Sequence, residues 1–322
     1  MTTHSDDLTD HSGAGVVVVG SITADVTTFS QRLPARGETV LGDDLTLVLG
    51  GKGANQAVAS SLAGARTYLI GCVGTDPFRD LVVSALDGYG VDISHVREFE
   101  GATGVAHIRV DASGENDIVM VPLANSRLDA QHVDEAFSVL SSQVSVLLTQ
   151  LEVPSETAYS AVSAGKAAGM TVVLDPAPVV ELDPQIWRSI DIVTPNETEA
   201  SLLTGIPVTD LDSAIRAGQW FCARGTNNAL ITMASTGAVL VNAQGATQFE
   251  PFAVQSVDTT AAGDAFAGYL AAGLAEGFEL SDAITRGMAA GALAVTKRGA
   301  SPSLPQRASV DALVAHADSD LS

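Results

Sequence analysis

Val16-Val17-Val18-Val19-Gly20-Ser21 places four consecutive β-branched residues near the start of a 322-residue chain and ends them on a glycine and a serine. A continuous apolar run of this kind suits a strand covered on both faces, as in a parallel sheet, and the small residues after it suit a functional edge. Working outward, strand-like runs recur at 68–73, 144–151, 171–174, 190–193, 229–232, 238–241 and 252–257. Helical patterns fall between most of them, at 54–63, 77–89, 156–168, 198–203, 213–223 and from 265 onward. Alternation of this length predicts an α/β fold, an open and mostly parallel sheet with helices on both faces. Ligands of such sheets gather at the carboxyl ends of the strands.

Two stretches break the pattern. Residues 39–49, and 105–121 with a turn at Ser113-Gly114-Glu115-Asn116, have period-two character without an intervening helix. They predict a small antiparallel β lid drawn from about residues 22–48 and 100–122. The expected organisation is one α/β domain over residues 15–316, with a disordered segment at 1–14 and a mobile end at 317–322.

Composition narrows the partners. Sixteen basic against 38 acidic side chains give a formal charge of −22, and the only lysines are Lys52, Lys166 and Lys297. Such a surface argues against nucleic acid and anionic membranes. Cys72 and Cys222 have no metal-ligand spacing and read as buried free thiols. The first fifteen residues lack the features of a targeting peptide, and no uncharged apolar run is long enough for a membrane span, so a cytoplasmic protein is expected.

Chemistry concentrates in four places. Asp258-Thr259-Thr260-Ala261-Ala262-Gly263-Asp264 leads into a helix. Small residues at a helix start let main-chain N–H groups approach an anion, and the helix dipole favours negative charge there. Asp264 on that turn is placed to take a proton from a hydroxyl beside a bound phosphate, although an aspartate at a helix start also serves simply as a cap. Gly50-Gly51-Lys52-Gly53-Ala54-Asn55-Gln56 lacks P-loop spacing, yet its glycines let a ligand lie against the main chain, with Lys52 and Asn55 as partners for a polyol. Asp25 and Glu152 follow strands and suit sugar hydroxyls, or are ordinary loop carboxylates. Thr194-Pro195-Asn196-Glu197-Thr198-Glu199-Ala200 begins another helix, and reads either as a cap on Thr194 with Glu197 behind it or as Asn196 and Glu199 facing phosphate through Mg²⁺ and its waters.

Together with Gly299-Ala300-Ser301-Pro302-Ser303, these blocks resemble the ribokinase-like members of the PfkB-type carbohydrate kinases, over nearly everything from Val16 to Pro305. The resemblance implies ATP-dependent phosphorylation of the 5-hydroxyl of D-ribose. By motif, Asp264 would be the general base, with Ala261, Ala262 and Gly263 as the anion hole. The sugar would meet Thr23, Ala24, Asp25, Gly51, Lys52, Gly53, Ala54, Asn55 and Glu152. ATP would meet Asn196, Thr232, Met233, Ala234, Ser235, Thr236, Gly237 and Gly263, with Glu199 assisting Mg²⁺ through water. A potassium ion would sit at Asp258, Thr260, Ala294, Lys297, Gly299 and Ser303, held mostly by main-chain carbonyls. Members of this family commonly form homodimers through the lid strands.

Three positions depart from the family pattern. Thr23 stands where an asparagine is usual, and Ala234 and Leu123 stand where glycines are. Thr23 leaves open a kinase of deoxyribose, another sugar or a nucleoside. A non-catalytic sugar sensor is the remaining alternative, and the retained Asp264 speaks against it.

Overall fold

The computed structural model describes residues 15–320 apart from Gly114; the expectation for residues 1–14 lies outside them. The first strand of the described residues, β1 (Gly15–Val19), is an interior strand of a nine-stranded sheet, third from one edge. On one side of it lie β4 (Thr67–Val73) and β5 (Asp92–Glu98); on the other lie β8 (Val144–Thr149), β9 (Thr171–Leu174), β10 (Ile192–Val193) and β11 (Asn228–Thr232). All of these pair parallel, and β12 (Ala238–Asn242) and β13 (Gly245–Phe249) close that edge as an antiparallel hairpin. Alternate residues of β1 feed two cores: Val16 and Val18 belong to one, Val17 and Val19 to the other. The four-valine run is therefore buried on both faces, as its composition required.

The first core is covered by α1 (Lys52–Leu62), α2 (Pro77–Gly88), α7 (Ala262–Ala275), α8 (Leu280–Ala294) and α9 (Arg307–Asp320). The second is covered by α3 (Ala130–Leu140), α4 (Ser155–Ala167), α5 (Glu197–Thr204) and α6 (Leu211–Cys222). Among the described residues no helix is long and apolar enough to cross a membrane.

The lid is a second sheet of four strands in the order β3 (Asp44–Gly50), β2 (Thr23–Phe29), β6 (Gly104–Val110), β7 (Asn116–Val121). Its outer pairings are antiparallel and its central β2–β6 pairing is parallel. The lid is tied down by Asn125, fully buried, whose Oδ1 accepts from Ile22 N at 2.9 Å while its Nδ2 donates to Ile22 O at 2.8 Å.

Several local expectations need correction. Residues 252–257 form no strand: the segment is mostly exposed and pairs with no sheet neighbour, and Val257 N donates to Val295 O instead. Asp25 lies within lid strand β2 rather than on a loop after β1. Helix α9 continues to Asp320, the last of the described residues. Cys72 is buried, but Cys222 is only half-buried, with its thiol donating to Val241 O at 3.3 Å.

Candidate active site

Helix α1 enters the site through a turn that needs its glycines for two reasons. Gly51 has φ 88°, in the left-handed region where a Cβ is disfavoured. A Cβ on Gly53 would lie 2.5 Å from the carbonyl carbon of Gly20 and the nitrogen of Ser21. The close approach at Gly53 is thus made by the protein's own chain just after β1. Ala54 N donates to Ser21 O, and Ser21 Oγ donates to Glu152 Oε2 at 2.5 Å. Glu152 Oε2 also accepts from Lys52 N at 2.9 Å, so the carboxylate braces the turn. Ala24 and Ala54 are fully buried in the first core, main chain included.

The first turns of α1 aim three polar side chains at the start of α7. Asn55 Nδ2 donates to Asp264 Oδ2 at 3.0 Å, and Gln56 Nε2 donates to Asp264 Oδ1 at 3.0 Å. Lys52 Nζ lies 3.8 Å from Asp264 Oδ1 but 3.0 Å from Asp175 Oδ2, so its direct hydrogen bond goes to Asp175. Asp264 is only 6% exposed. Burial, followed by the charges of Asp175 and Glu152, raises its pKa against the pull of Lys52 and Asn55, to about 6. Burial likewise raises Asp25 to about 6, opposed by the hydroxyl of Thr23, which donates to Asp25 Oδ1 at 2.7 Å. Burial disfavours the Lys52 ammonium, but Asp175, then Asp264 and Glu152, outweigh it and hold its pKa above the ordinary value.

Helix α7 begins without a side-chain cap. Its N-cap, Ala261, adopts φ 58°, a conformation that costs a non-glycine residue about 1–2 kcal/mol. Gly263 is exposed, and a Cβ placed on it would meet nothing within 4 Å. The space beside it belongs to a cleft of about 190 Å³ lined by Lys52, Asp175, Asn196, Glu199, Thr232 and the 261–264 turn. A larger open hollow of about 460 Å³ lies elsewhere, at the amino ends of β4 and β5, which is the wrong edge of a parallel sheet for such chemistry.

Across the cleft, the N-cap of α5 is Asn196, two residues later than the Thr194 alternative. Asn196 Oδ1 accepts from Glu199 N, and Glu199 Oε2 accepts from Asn196 N, both at 2.9 Å. The two residues expected to face nucleotide therefore also form the helix's capping box. Burial, then the nearby Asp175, raises the pKa of Glu199. Thr232 meets Asn196 in an isolated parallel bridge, which joins the end of β11 to the start of α5. The cleft lining stops at Thr232: Met233 is buried, while Ser235 and Thr236 are exposed beyond it.

Of the residues expected at a cation, the structure joins three, Asp258, Thr260 and Gly299. Asp258 Oδ1 accepts from Thr260 N and Oγ1, and Asp258 Oδ2 accepts from Gly299 N at 2.8 Å. Burial raises this carboxyl's pKa, but the bonds from Gly299 and Thr260 outweigh it and hold it below the usual range. Lys297 points to solvent, Ala294 is buried, and Ser303 Oγ donates to Ala300 O within its own turn. Among the described residues, no group of three or more His, Cys, Asp or Glu is arranged to hold a metal.

Four residues of the site were not singled out from the sequence: Ser21, Gln56, Gln150 and Asp175. Asp175 had a usable signal, a carboxylate directly after the strand ending at Leu174. Gln56 had one too, since it follows Lys52 by four residues on the same helix face.

Comparison with known proteins agrees with this geometry. Residues 14–307 match the model of the pfkB family of carbohydrate kinases. Ribokinase from Haemophilus influenzae is 39% identical over 304 residues, covering 94% of this chain and 99% of that protein. Deoxyribokinase from Salmonella typhi is 34% identical over 292 residues, 90% of this chain and 95% of its own length. The structure of Arabidopsis thaliana ribokinase complexed with ribose and ATP superposes with a TM-score of 0.87 at 33% identity, covering 94% of this chain and 99% of that one. With its mostly parallel sheet, its lid and a carboxylate at the start of α7, this chain belongs to the pfkB family of carbohydrate kinases and is a phosphotransferase.

Proposed function

We propose that the chain transfers the γ-phosphate of ATP to the 5-hydroxyl of D-ribose, giving D-ribose 5-phosphate and ADP. The observation that carries this is the position of Asp264, a buried carboxyl of raised pKa beside an uncapped helix start and open cleft space. Asp264 accepts the hydroxyl proton as the sugar oxygen bonds to the γ-phosphorus, and the bond from that phosphorus to the β,γ-bridging oxygen breaks to release ADP. The main-chain N–H groups of the Ala261–Gly263 turn and the α7 dipole stabilise the charge on the moving group. Asp25, Lys52, Asn55 and Glu152 hold and orient the sugar, with Thr23 and the main chain of Ala24, Gly51, Gly53 and Ala54 around them. Asn196, Thr232 and the turn from Met233 to Gly237 hold the nucleotide.

Glu199 fits a water-mediated Mg²⁺ site, because one of its oxygens is engaged by Asn196 N and the other is left for the cleft. Held there, Mg²⁺ would neutralise phosphate charge. A potassium ion would be held at the turn where Asp258 joins Thr260 to Gly299, and would add positive charge near the start of α7.

Thr23 supports a second reading. Its hydroxyl is already engaged by Asp25, so it offers the sugar less than an asparagine amide would. A sugar lacking one hydroxyl fits such a site, and the similarity to a deoxyribokinase points the same way. The deciding experiment incubates pure protein with Mg-ATP, K⁺ and ribose, deoxyribose, other pentoses or nucleosides, and identifies the phosphorylated product. Absence of ADP formation with every acceptor sinks the kinase reading, and preference for deoxyribose that Thr23→Asn reverses establishes the second one.

The lid supports a homodimer. Leu45, Leu47, Val119 and Val121 share one of its faces, opposite Asp25, and are 36–63% exposed. A second copy would cover this apolar stripe. Sedimentation of Leu45→Glu against the unaltered chain tests it, and equal masses for both would count against the lid as the interface.

A further inference from the structure

Asp175 has no part in the scheme above, yet it is a buried charge on the wall of the cleft, 5% exposed. Its Oδ2 accepts from Lys52 Nζ at 3.0 Å and from Gln56 Nε2 at 2.8 Å. Gln56 is fully buried, and its Oε1 accepts from Gln150 Nε2 at 2.5 Å. That bond turns the amide so that its Nε2 faces the carboxylates, and the same Nε2 donates to Asp264. One amide therefore holds both carboxylates, and one ammonium lies between them.

On the kinase reading given above, we propose that Asp175 is a positioning residue for Lys52, holding its ammonium away from Asp264 and setting a fixed negative charge against the nucleotide phosphates. Without Asp175, Lys52 has two destinations. It can close on Asp264, where a direct ion pair would make that carboxylate a weaker base, or it can reach for phosphate. The groups facing Asp264 are Lys52 from α1, Asp175 after β9, Glu152 after β8 and Asp25 from β2. Glu199 from α5 faces Asp175 and Lys52. Four of the groups around Asp264 and Lys52 are thus carboxyls, so removing one changes what a phosphate meets.

The test compares the wild type with Asp175→Asn, Asp175→Ser and Asp175→Glu. Mg-ATP binding is measured by calorimetry without sugar, and kcat/KM is measured against pH. Asp175→Asn and Asp175→Ser are expected to bind Mg-ATP about tenfold more tightly. Their acid limb moves to lower pH, because a lost negative neighbour and a freed ammonium both favour the charged form of Asp264. Asp175→Glu restores the charge and returns both values toward the wild type. Unchanged or weaker binding in the two neutral variants overturns the proposal, as does Asp175→Glu behaving like them. Either neutral variant suffices if the other fails to fold. A wild type that phosphorylates no acceptor defeats the kinase reading, but the nucleotide-binding comparison still decides the role of Asp175.

Discussion

Helices α5 and α7 start on the same cleft and are built in opposite ways. The first turn of α5 is closed on itself by the reciprocal Asn196–Glu199 bonds, and its N-cap has ordinary extended geometry. The first turn of α7 has no side-chain cap, starts from a left-handed alanine, and presents a glycine to open space. Satisfying helix-end N–H groups internally stabilises a helix, whereas leaving them open makes an anion site. One helix start is thus organised for stability and its neighbour for binding. Substitutions in α5 should mainly move stability, and those in α7 should mainly move turnover.

The sharpest test of this contrast is Asp264→Asn. Loss of a positioned base should lower kcat by about 10²–10⁴, with Mg-ATP binding retained in calorimetry. In the wild type, kcat/KM should fall as pH drops through about 6, where the buried carboxyl takes up its proton. The same substitution should raise the melting temperature at pH 8. The folded-state pKa lies above the ordinary carboxylate value, so the charged form is disfavoured by folding. That penalty is complete above about pH 6 and gone below about pH 3.9, so the gain should fade across this interval as pH falls. A gain that grows toward acid pH would contradict the account.

Next in size is Gly263→Val. The side chain meets no protein atom near its Cβ, so the fold should persist while kcat/KM drops by about 10²-fold through a displaced phosphoryl group. Full activity would show that the open space is not the transfer site. Asn196→Ala should instead cost about 1 kcal/mol in denaturant unfolding, the usual value of an N-cap, together with a raised KM for ATP. A stability loss in Gly263→Val as large as that in Asn196→Ala would erase the distinction between the two helix starts.

The smallest expected effects lie at two strained loops. Ala234 has φ 42° and Leu123 has φ 47°. The resemblance to the family implies a glycine at each, and a positive φ is where a glycine is least strained. Ala234→Gly and Leu123→Gly should each stabilise the chain by about 1 kcal/mol, read from urea midpoints. Destabilisation by either would mean that the side chain's packing outweighs the relief of strain.

Much of the site was legible because the chemistry is local. Asp264 and the small residues before it lie within one turn, and Asn196 and Glu199 lie three apart at a helix start. Asp175 and Gln56 were harder to see, since their roles depend on contacts across 119 and 208 residues of sequence. Residues 252–257 were misread for the opposite reason: their Phe and Val residues favour a strand, but a strand also requires a neighbour to pair with, and none is there.

The sequence alone determined the parallel sheet, because four buried valines can only be covered from both faces, and it marked the glycine-rich and small-residue turns that open α1 and α7, because backbone freedom and dipole effects act within a single turn. Tertiary structure alone decided which charges meet. Lys52 bonds Asp175 and stands off from Asp264, and Gln56 bridges the two, because β9, α1 and α7 converge at one edge of the sheet. Electrostatics falls off with distance in space, and distance along the chain carries no record of it.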